Sequence, residues 1–398
     1  MKHTLYGDGI HDDLPAIQEM LDSGESLVYL PPAKKQYTIS GTIYIHSNQE
    51  LRLDRFTRIC LTDQANCAML KNADPENWNE HVRVVGGIWD MNHSHQNPNP
   101  QHWPDPETGL TFLQVMTKEK RMGREPYPVY TGMCFEFLCI RDFYFGGLTI
   151  CNPVNFGSDF SYIEDFTIED IYFDYTEGSP KLWNLDGVHI EGHCKNGVIR
   201  NLKGTCHDDT IALTTDDLHF GPIENILVDG IFADNAHSAV RMLSVENKLK
   251  NIHITNIFGS FYVYCICISK YYESESRSGF ENISIDHVYA SLCPGTVDVP
   301  GNYEPLISIG SNLDLKSLSV SHLYRNETHL AMPTIKIMEN SSVGRLSLSH
   351  CEQSCQTDEP MPLIENCGSI GKLVLSEIET DGDAVLVGQG SIEEIIQR

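Results

Sequence analysis

The sequence predicts an all-β chain folded as a parallel β-helix, a solenoid of short stacked strands with an N-terminal capping helix. Three observations predict this class. One apolar template recurs along most of the chain, alternating apolar strands lie between its copies, and no helical spacing separates them. A repeat of this length and composition is typical of coils that stack on their neighbours.

The template has apolar residues at a start position and again three, five and eight residues later. Its nine copies start at Ile140, Ile163, Cys194, Ile223, Leu249, Phe280, Leu315, Val343 and Ile370. The mean period is about 29 residues, shorter than the roughly forty that a propeller blade needs. A second apolar run, such as Val188-His189-Ile190, lies between successive copies.

Other repeat folds fit this pattern less well. Leucine-rich repeats would show an asparagine at a fixed place and a helix on the return. In a parallel β-helix the rungs stack about 4.8 Å apart. Outward residues about one period apart in the sequence therefore become neighbours on one continuous face.

The first 60 residues are interpreted as a cap region. Asp12 is a natural N-cap, and the apolar residues from Leu14 to Leu21 have helical spacing, so we expect a short amphipathic helix that closes the coil. The Asp12–Asp13 pair is accordingly interpreted as structural. The whole chain, residues 1–398, is expected to form a single domain.

Residues 89–133 break the rhythm of the repeat and are rich in histidine and proline. A loop of this length on a compact scaffold is usually functional or disordered. We expect it to border the groove formed by the outward residues of the rungs. Its histidines lack tight ligand spacing, so we expect neither a metal nor another cofactor.

Composition and charge exclude several classes of partner. The chain has 28 basic and 55 acidic residues, a net charge of −27, which repels nucleic acid and anionic membrane surfaces. No stretch reaches the roughly 18 apolar residues that a bilayer crossing needs. Thirteen cysteines cannot all pair, and the first residues do not resemble a signal segment, so we expect a cytoplasmic protein with reduced thiols.

Three aspartates on two successive rungs give the sharpest functional signal. Asp186 precedes one strand, while Asp208 and Asp209 precede the next strand at the same place, 22 and 23 residues later. We expect them to stack into one small acidic cluster open to solvent, in which one carboxyl group holds a proton. Such a set suits glycoside hydrolysis, although aspartates at strand starts are also common as solvated turn residues.

Residues from about 150 to 245 resemble glycoside hydrolase family 28, the polygalacturonases and their relatives. Asn-Leu-Asp-Gly at 184–187 is similar to the family's Asn-Thr-Asp-Gly, and His-Asp-Asp at 207–209 to its Gly-Asp-Asp. The resemblance implies a right-handed helix and an inverting mechanism. It also implies that Asp208 is the general acid, while Asp186 and Asp209 orient and deprotonate the water.

The chain also departs from the family pattern. The family's Gly-His-Gly appears as Ala-His-Ser around His237. At the place of the family's Arg-Ile-Lys, the chain has a Cys-Ile-Cys-Ile-Ser run followed by Lys270, without an arginine. Either Arg241 and Lys270 bind a uronate carboxylate from new positions, or the sugar differs, for example a neutral or rhamnogalacturonan-type fragment. The predicted substrate-binding residues are Asn184, His189, His207, His237, Arg241, Lys270, Trp89 and Trp103.

We therefore expect a glycosidase that acts on pectic or related oligosaccharides. The 89–133 loop would block one end of the cleft, which predicts exo-action, and its Trp89 and Trp103 would stack on sugar faces. A polysaccharide lyase on the same scaffold would need Arg or Lys beside the aspartates and commonly Ca²⁺. A glycan-binding or tailspike-like protein with a non-catalytic groove is the alternative from another class.

Overall fold

A computed structural model describes residues 3–175, 184–295 and 304–398 of the chain. These residues form a right-handed parallel β-helix, which confirms the predicted fold. Strand pairs are parallel throughout the coil, and each strand pairs with the equivalent strand of the next rung, as β12 does with β14. The side chains inside the coil form one continuous apolar cluster from Ile17 to Leu375.

The elements follow one another as short strands with few helices. The helices are α1 Leu14–Asp22, α2 Phe112–Val115 and α3 Lys118–Arg121, with a 3₁₀ turn at His93–His95. The strands are β1 Leu27–Leu30, β2 Tyr37–Ile39, β3 Ile43–Ile45, β4 Gln49–Leu53, β5 Arg58–Leu61, β6 Leu70–Asn72, β7 Asn79–Val85, β8 Ile88–Asp90, β9 Phe135–Gly146, β10 Thr149–Cys151, β11 Ser158–Asp174, β12 Val188–Ile190, β13 Lys195–Thr205, β14 Asp209–Thr214, β15 Ile223–Ala236, β16 Ser238–Leu243, β17 Lys248–Phe261, β18 Ile266–Ser269, β19 Ser278–Leu292, β20 Ile307–Ile309, β21 Leu313–Glu327, β22 Ile335–Ile337, β23 Ser342–Cys355, β24 Ile364–Asn366, β25 Ser369–Glu379, β26 Leu386–Val387 and β27 Ser391–Gln397.

The predicted apolar template matches the register of the coil. Copies pair position by position, as Ile140 does with Ile163 and Ile199 with Val228. Its apolar residues are buried, apart from the last, Ile378, which is partly buried. The template therefore predicted which side chains face inward.

An asparagine does occupy a fixed place in four copies, two residues after the start. Asn196, Asn225, Asn251 and Asn282 all have φ between 57° and 59°. Each donates its side-chain amide to the equivalent side chain of the preceding rung, at 2.8–3.0 Å. Asparagine tolerates this left-handed conformation, and its side chain links the equivalent turns of successive rungs by hydrogen bonds. A fixed asparagine therefore does not distinguish leucine-rich repeats from this fold.

The cap is a short helix, as predicted, but it begins one residue later than expected. The N-cap residue is Asp13, which makes no side-chain capping bond. Asp13 instead accepts backbone N–H groups of Tyr6, Gly7 and Thr38, while Asp12 accepts the hydroxyl of Ser40. Both aspartates bind the entry segment to the first rung, which agrees with their structural interpretation.

The insertion starts later than the sequence suggested, because Trp89 belongs to β8. Trp89 is fully buried and packs edge-on against Phe135, with the ring centroids 5.1 Å apart. The prediction that Trp89 stacks on a sugar is therefore wrong: its strand continues the repeat and turns this side chain into the core. Within the described ranges, no helix has the length and apolar character that crossing a bilayer requires.

One stack of short strands forms the groove face. It runs from β3 and β6 through the starts of β9 and β11 to β12, β14, β16 and β18. Its outward side chains form one ladder along the coil: Tyr44, Lys71, Glu136, Asp159, His189, Ala212, Arg241 and Cys267. Ionisable groups about one rung apart thus share a single surface.

Candidate active site

The three predicted aspartates come together where β12 and β14 begin. The backbone N–H of Gly187 donates to the Asp209 carbonyl oxygen at 2.9 Å, and the N–H of Asp209 donates to Asp186 Oδ1 at 3.1 Å. Gly187 permits this approach, since a Cβ there would lie 2.6 Å from the Thr210 carbonyl oxygen. The predicted stacking of these aspartates is present in the structure.

The cluster is less open than predicted. Asp186 and Asp209 are only 3% and 1% exposed, whereas the Asp208 side chain is 15% exposed. Tyr264, 7% exposed, lies two rungs further on and its hydroxyl contacts Asp209. The expected solvent-open cluster is therefore wrong for two of its members, and Asp208 is the aspartate of the three that reaches the surface.

Asp208 is held by a backbone amide and lies beside a histidine. The N–H of Asn184 donates to Asp208 Oδ2 at 2.9 Å, and His237 Nδ1 lies 3.6 Å from Oδ1. His207 faces away, with Nε2 3.1 Å from the Tyr175 carbonyl oxygen, and burial lowers its pKa. Asn184 and His237 therefore frame Asp208, while His207 contacts the backbone of Tyr175.

Asp209 has one well-bonded oxygen and one unpaired oxygen. Oδ1 accepts the hydroxyls of Ser238 at 2.5 Å and Tyr264 at 2.9 Å. Oδ2 is buried without a hydrogen-bond partner among the described residues and lies 3.7 Å from Arg241 Nη1. Burial and the neighbouring charge of Asp208 raise the pKa of Asp209.

Asp186 pairs with a buried histidine. Its Oδ2 lies 2.5 Å from His189 Nδ1. Burial and the charge of Asp208 raise the pKa of Asp186 to about 7, even though the hydrogen bond from His189 opposes this. Although burial lowers the pKa of His189, its bonds to Asp186 and Glu191 raise it well above its usual range.

His189 does not line an open surface, which corrects its predicted contact with substrate. The ring is 2% exposed and stacks on Phe156, with centroids 4.1 Å apart and planes 7° apart. Its outward position on β12 is covered because the segment before β11 crosses over it. His189 therefore positions Asp186 from behind.

The two predicted cations have different surroundings. The Arg241 side chain is 20% exposed, and its guanidinium lies beside Asp209 and over the Tyr271 ring, 4.7 Å from the ring centroid. Lys270 donates to the Ser274 carbonyl oxygen and lines a cavity of about 680 Å³ to which none of the three aspartates contributes. The structure thus brings Arg241 to the aspartates, as predicted, and leaves Lys270 outside the cluster.

Trp103 lies within the insertion, away from the aspartates. It lines a small hollow formed by residues 97–130, together with Pro100, Pro104 and Tyr130. Its ring contacts His102 edge-on at 6.0 Å. The loop's own side chains surround Trp103, so the structure does not place this ring beside the acidic cluster.

Sequence reasoning missed several groups around the cluster. Tyr264 is equivalent in register to Asp209 and Ser238 on the two preceding rungs. Alignment of the rungs in the sequence would therefore have found it. Asp216 lies in the bend after β14 and accepts the backbone N–H groups of residues 245–247. The neighbouring Asp217 side chain is directed toward His189, and its Oδ2 lies 3.8 Å from His189 Nε2.

The comparisons with known proteins rest on structure. No protein-family model matches the chain, and no curated protein matches it either. The structure is similar to endo-xylogalacturonan hydrolase from Aspergillus tubingensis, with a TM-score of 0.60 and 14% identity over 98% of each chain. An exopolygalacturonase from Thermotoga maritima matches 98% of this chain and 89% of its own, with a TM-score of 0.50 and 13% identity.

A phage protein matches as well. The tailspike protein of E. coli bacteriophage HK620, solved with a pentasaccharide, has a TM-score of 0.60 and 12% identity over 96% of this chain and 75% of its own. At these identities the likeness shows a shared fold. The solved neighbours thus include a xylogalacturonan hydrolase, an exopolygalacturonase and a tailspike protein in complex with a pentasaccharide.

Proposed function

We propose that the chain is a glycoside hydrolase whose catalytic groups are Asp186, Asp208 and Asp209. The observation that carries the proposal is their convergence: three carboxyl groups meet across two rungs, one accessible, and one with an unpaired oxygen. Such an arrangement separates a proton donor from a proton acceptor, as glycoside hydrolysis requires.

The accessible Asp208 acts as the general acid. It protonates the leaving glycosidic oxygen while a water attacks the anomeric carbon. The water proton passes to the unpaired Oδ2 of Asp209, and Asp186, fixed by His189, orients the Asp209 backbone. One water is consumed and the anomeric configuration inverts, as the family resemblance implies.

The substrate we propose is a short pectic oligosaccharide attacked from its end. The insertion packs across the groove face through Phe112 and Tyr127, which cluster with Phe156, and the Tyr127 hydroxyl donates to Asp159 at 2.8 Å. An anchored loop of this kind closes one side of the groove, which supports exo-action. Arg241 is the cation that we assign to a uronate carboxylate, because it lies beside the cluster.

The test is hydrolysis of a panel of pectic and neutral oligosaccharides by the purified chain, followed by proton NMR. We expect monosaccharide release from a galacturonate-containing substrate, with the inverted anomer appearing first. An unsaturated product that absorbs in the ultraviolet and disappears with chelator would instead identify a lyase. Oligosaccharide binding without any turnover would identify a glycan-binding protein and overturn the proposal.

We also propose a cytoplasmic location. All thirteen cysteines are free, and nine of them are buried in the coil. A reducing compartment keeps such thiols unmodified. Fractionation of cells that express the full-length protein would test this directly.

A further inference from the structure

A second cluster lies behind Asp186, on the side of the insertion. Asp159 and His189 are register neighbours on adjacent rungs, and Glu191 follows His189 on the same face. All three are at most 2% exposed. One ligand-type atom from each lies within 4.8 Å of the others.

Each carboxylate in this cluster is fixed through one oxygen by hydrogen bonds from its surroundings. Asp159 Oδ2 accepts the Tyr127 hydroxyl at 2.8 Å, and Glu191 Oε2 accepts the backbone N–H groups of residues 218 and 219 at 3.0 and 2.8 Å. Asp159 Oδ1 is buried without a hydrogen-bond partner among the described residues, and the buried Glu191 Oε1 has its ion-pair contact of 3.2 Å with His189 Nε2. A buried acceptor without a partner is costly, so a ligand that pairs with it is favoured at this place.

The histidine is fixed in the same way. His189 Nδ1 faces Asp186 Oδ2 at 2.5 Å, which directs Nε2 toward Glu191 Oε1 at 3.2 Å. The Thr214 hydroxyl, 3.0 Å from Nε2, adds a further oxygen at the same place. A carboxylate that orients a histidine from behind is the arrangement found around metal-ligating histidines.

Charge supports a cation at this place. The His189 ring faces carboxylates of Asp186, Glu191 and Asp217 within 3.8 Å. Protonation of the ring would offset one negative charge, whereas a divalent ion would offset two. A cavity of about 260 Å³ in the groove is lined by Tyr127 and Asp159, so it reaches one of the three residues of the cluster.

We propose that Asp159, His189 Nε2 and Glu191 bind a divalent transition-metal ion. One imidazole and two carboxylates are a donor set that suits ions such as Zn²⁺ or Mn²⁺. Asp186 then orients the histidine ligand while belonging to the acidic cluster in front. This proposal does not depend on hydrolase activity, since the ligands and their supports are defined by the buried contacts alone.

The test uses the full chain, stripped with chelator and titrated by calorimetry with Zn²⁺ and separately with Mn²⁺. We expect one ion per chain and a higher melting temperature with metal. Glu191→Gln and Asp159→Asn keep the shapes of the ligands but remove their charge. Each should weaken binding by more than the roughly 10- to 100-fold that loss of a supporting group costs.

A matched control is Asp286→Asn, in a half-buried group of one aspartate and two histidines on the flank of the coil. This variant should bind the ion as the unchanged protein does. Circular dichroism of the stripped variants checks that each one folds. Absence of a stoichiometric site, or binding lost in Asp286→Asn and kept in both Glu191→Gln and Asp159→Asn, would overturn the proposal.

Discussion

Asp209 and His237 lie in the groove beneath Tyr264, whereas Asp286 and His322 lie on the flank of the coil. Burial and the charge of Asp208 raise the pKa of Asp209. Although partial burial opposes it, hydrogen bonds from Ser321, His322 and His287 lower the pKa of Asp286 to about 2. The pKa values of the two aspartates are thus shifted in opposite directions, because burial and neighbouring groups decide the sign of the shift.

The flank cluster also shows what an ordinary ladder looks like. His287, His322 and His350 stack at centroid distances of 4.5 and 4.7 Å, and all three have positive φ at the second turn of the repeat. Their side chains are 36–45% exposed, and the Asp286 carboxylate is 25% exposed. Regular stacking of side chains that reach solvent needs no functional explanation. Buried carboxylate oxygens without a hydrogen-bond partner among the described residues, such as Asp159 Oδ1 and Asp209 Oδ2 in the groove, do need one.

The largest expected difference between the clusters is in turnover. We predict that His237→Ala lowers kcat by about 10²-fold, because the ring lies beside Asp208 and removal of one stabilising group in an active site has that order of effect. His322→Ala should change kcat by less than about twofold and cost at most about 1 kcal/mol of stability. Steady-state kinetics of both variants on the substrate found in the panel would measure this. Equal losses in the two variants would remove the distinction between the clusters.

A smaller difference is expected in the pH dependence of stability. The raised pKa of Asp209 gives a contribution that is complete below the ordinary aspartate pKa of 3.8 and is lost as pH rises. Asp286, with its pKa lowered to about 2, contributes above 3.8 and loses that contribution as pH falls. Asp209→Asn should therefore flatten the melting-temperature profile above about pH 4, and Asp286→Asn should flatten it below about pH 4.

The profiles should be recorded by thermal unfolding across the acidic and neutral range for the unchanged protein and both variants. Each variant serves as the control for the other, since both exchange an aspartate for an isosteric amide. A profile unchanged by Asp209→Asn above about pH 4 would contradict the raised pKa of that group.

The sequence predicted the coil because its information is periodic. Apolar positions that recur at a fixed offset, such as Ile163 and Ile199, become ladders, and aspartates at the same place on two rungs become neighbours. Burial of the aspartates was not predictable in this way. Phe156 and the insertion cover His189 through contacts between non-repeating segments, for which the period gives no information.

The errors at Trp89 and Lys270 have related causes. The tryptophan was assigned to the insertion because polar residues follow it, although its own strand continues the repeat. Lys270 was selected from a family pattern that the chain lacks, and here its amine bonds within the turn that follows β18. To predict the position of either side chain, one would need to know the path of the chain at a boundary of the repeat.

The most direct test of the central claim is the turnover of Asp208→Asn on the oligosaccharide that the unchanged protein cleaves. Because Asp208 is the accessible aspartate of the cluster, we expect kcat to fall by about 10²- to 10⁴-fold, with the melting temperature and the affinity for the oligosaccharide retained. Turnover equal to that of the unchanged protein, in a folded variant, would show that this carboxyl group donates no proton and would contradict the assignment.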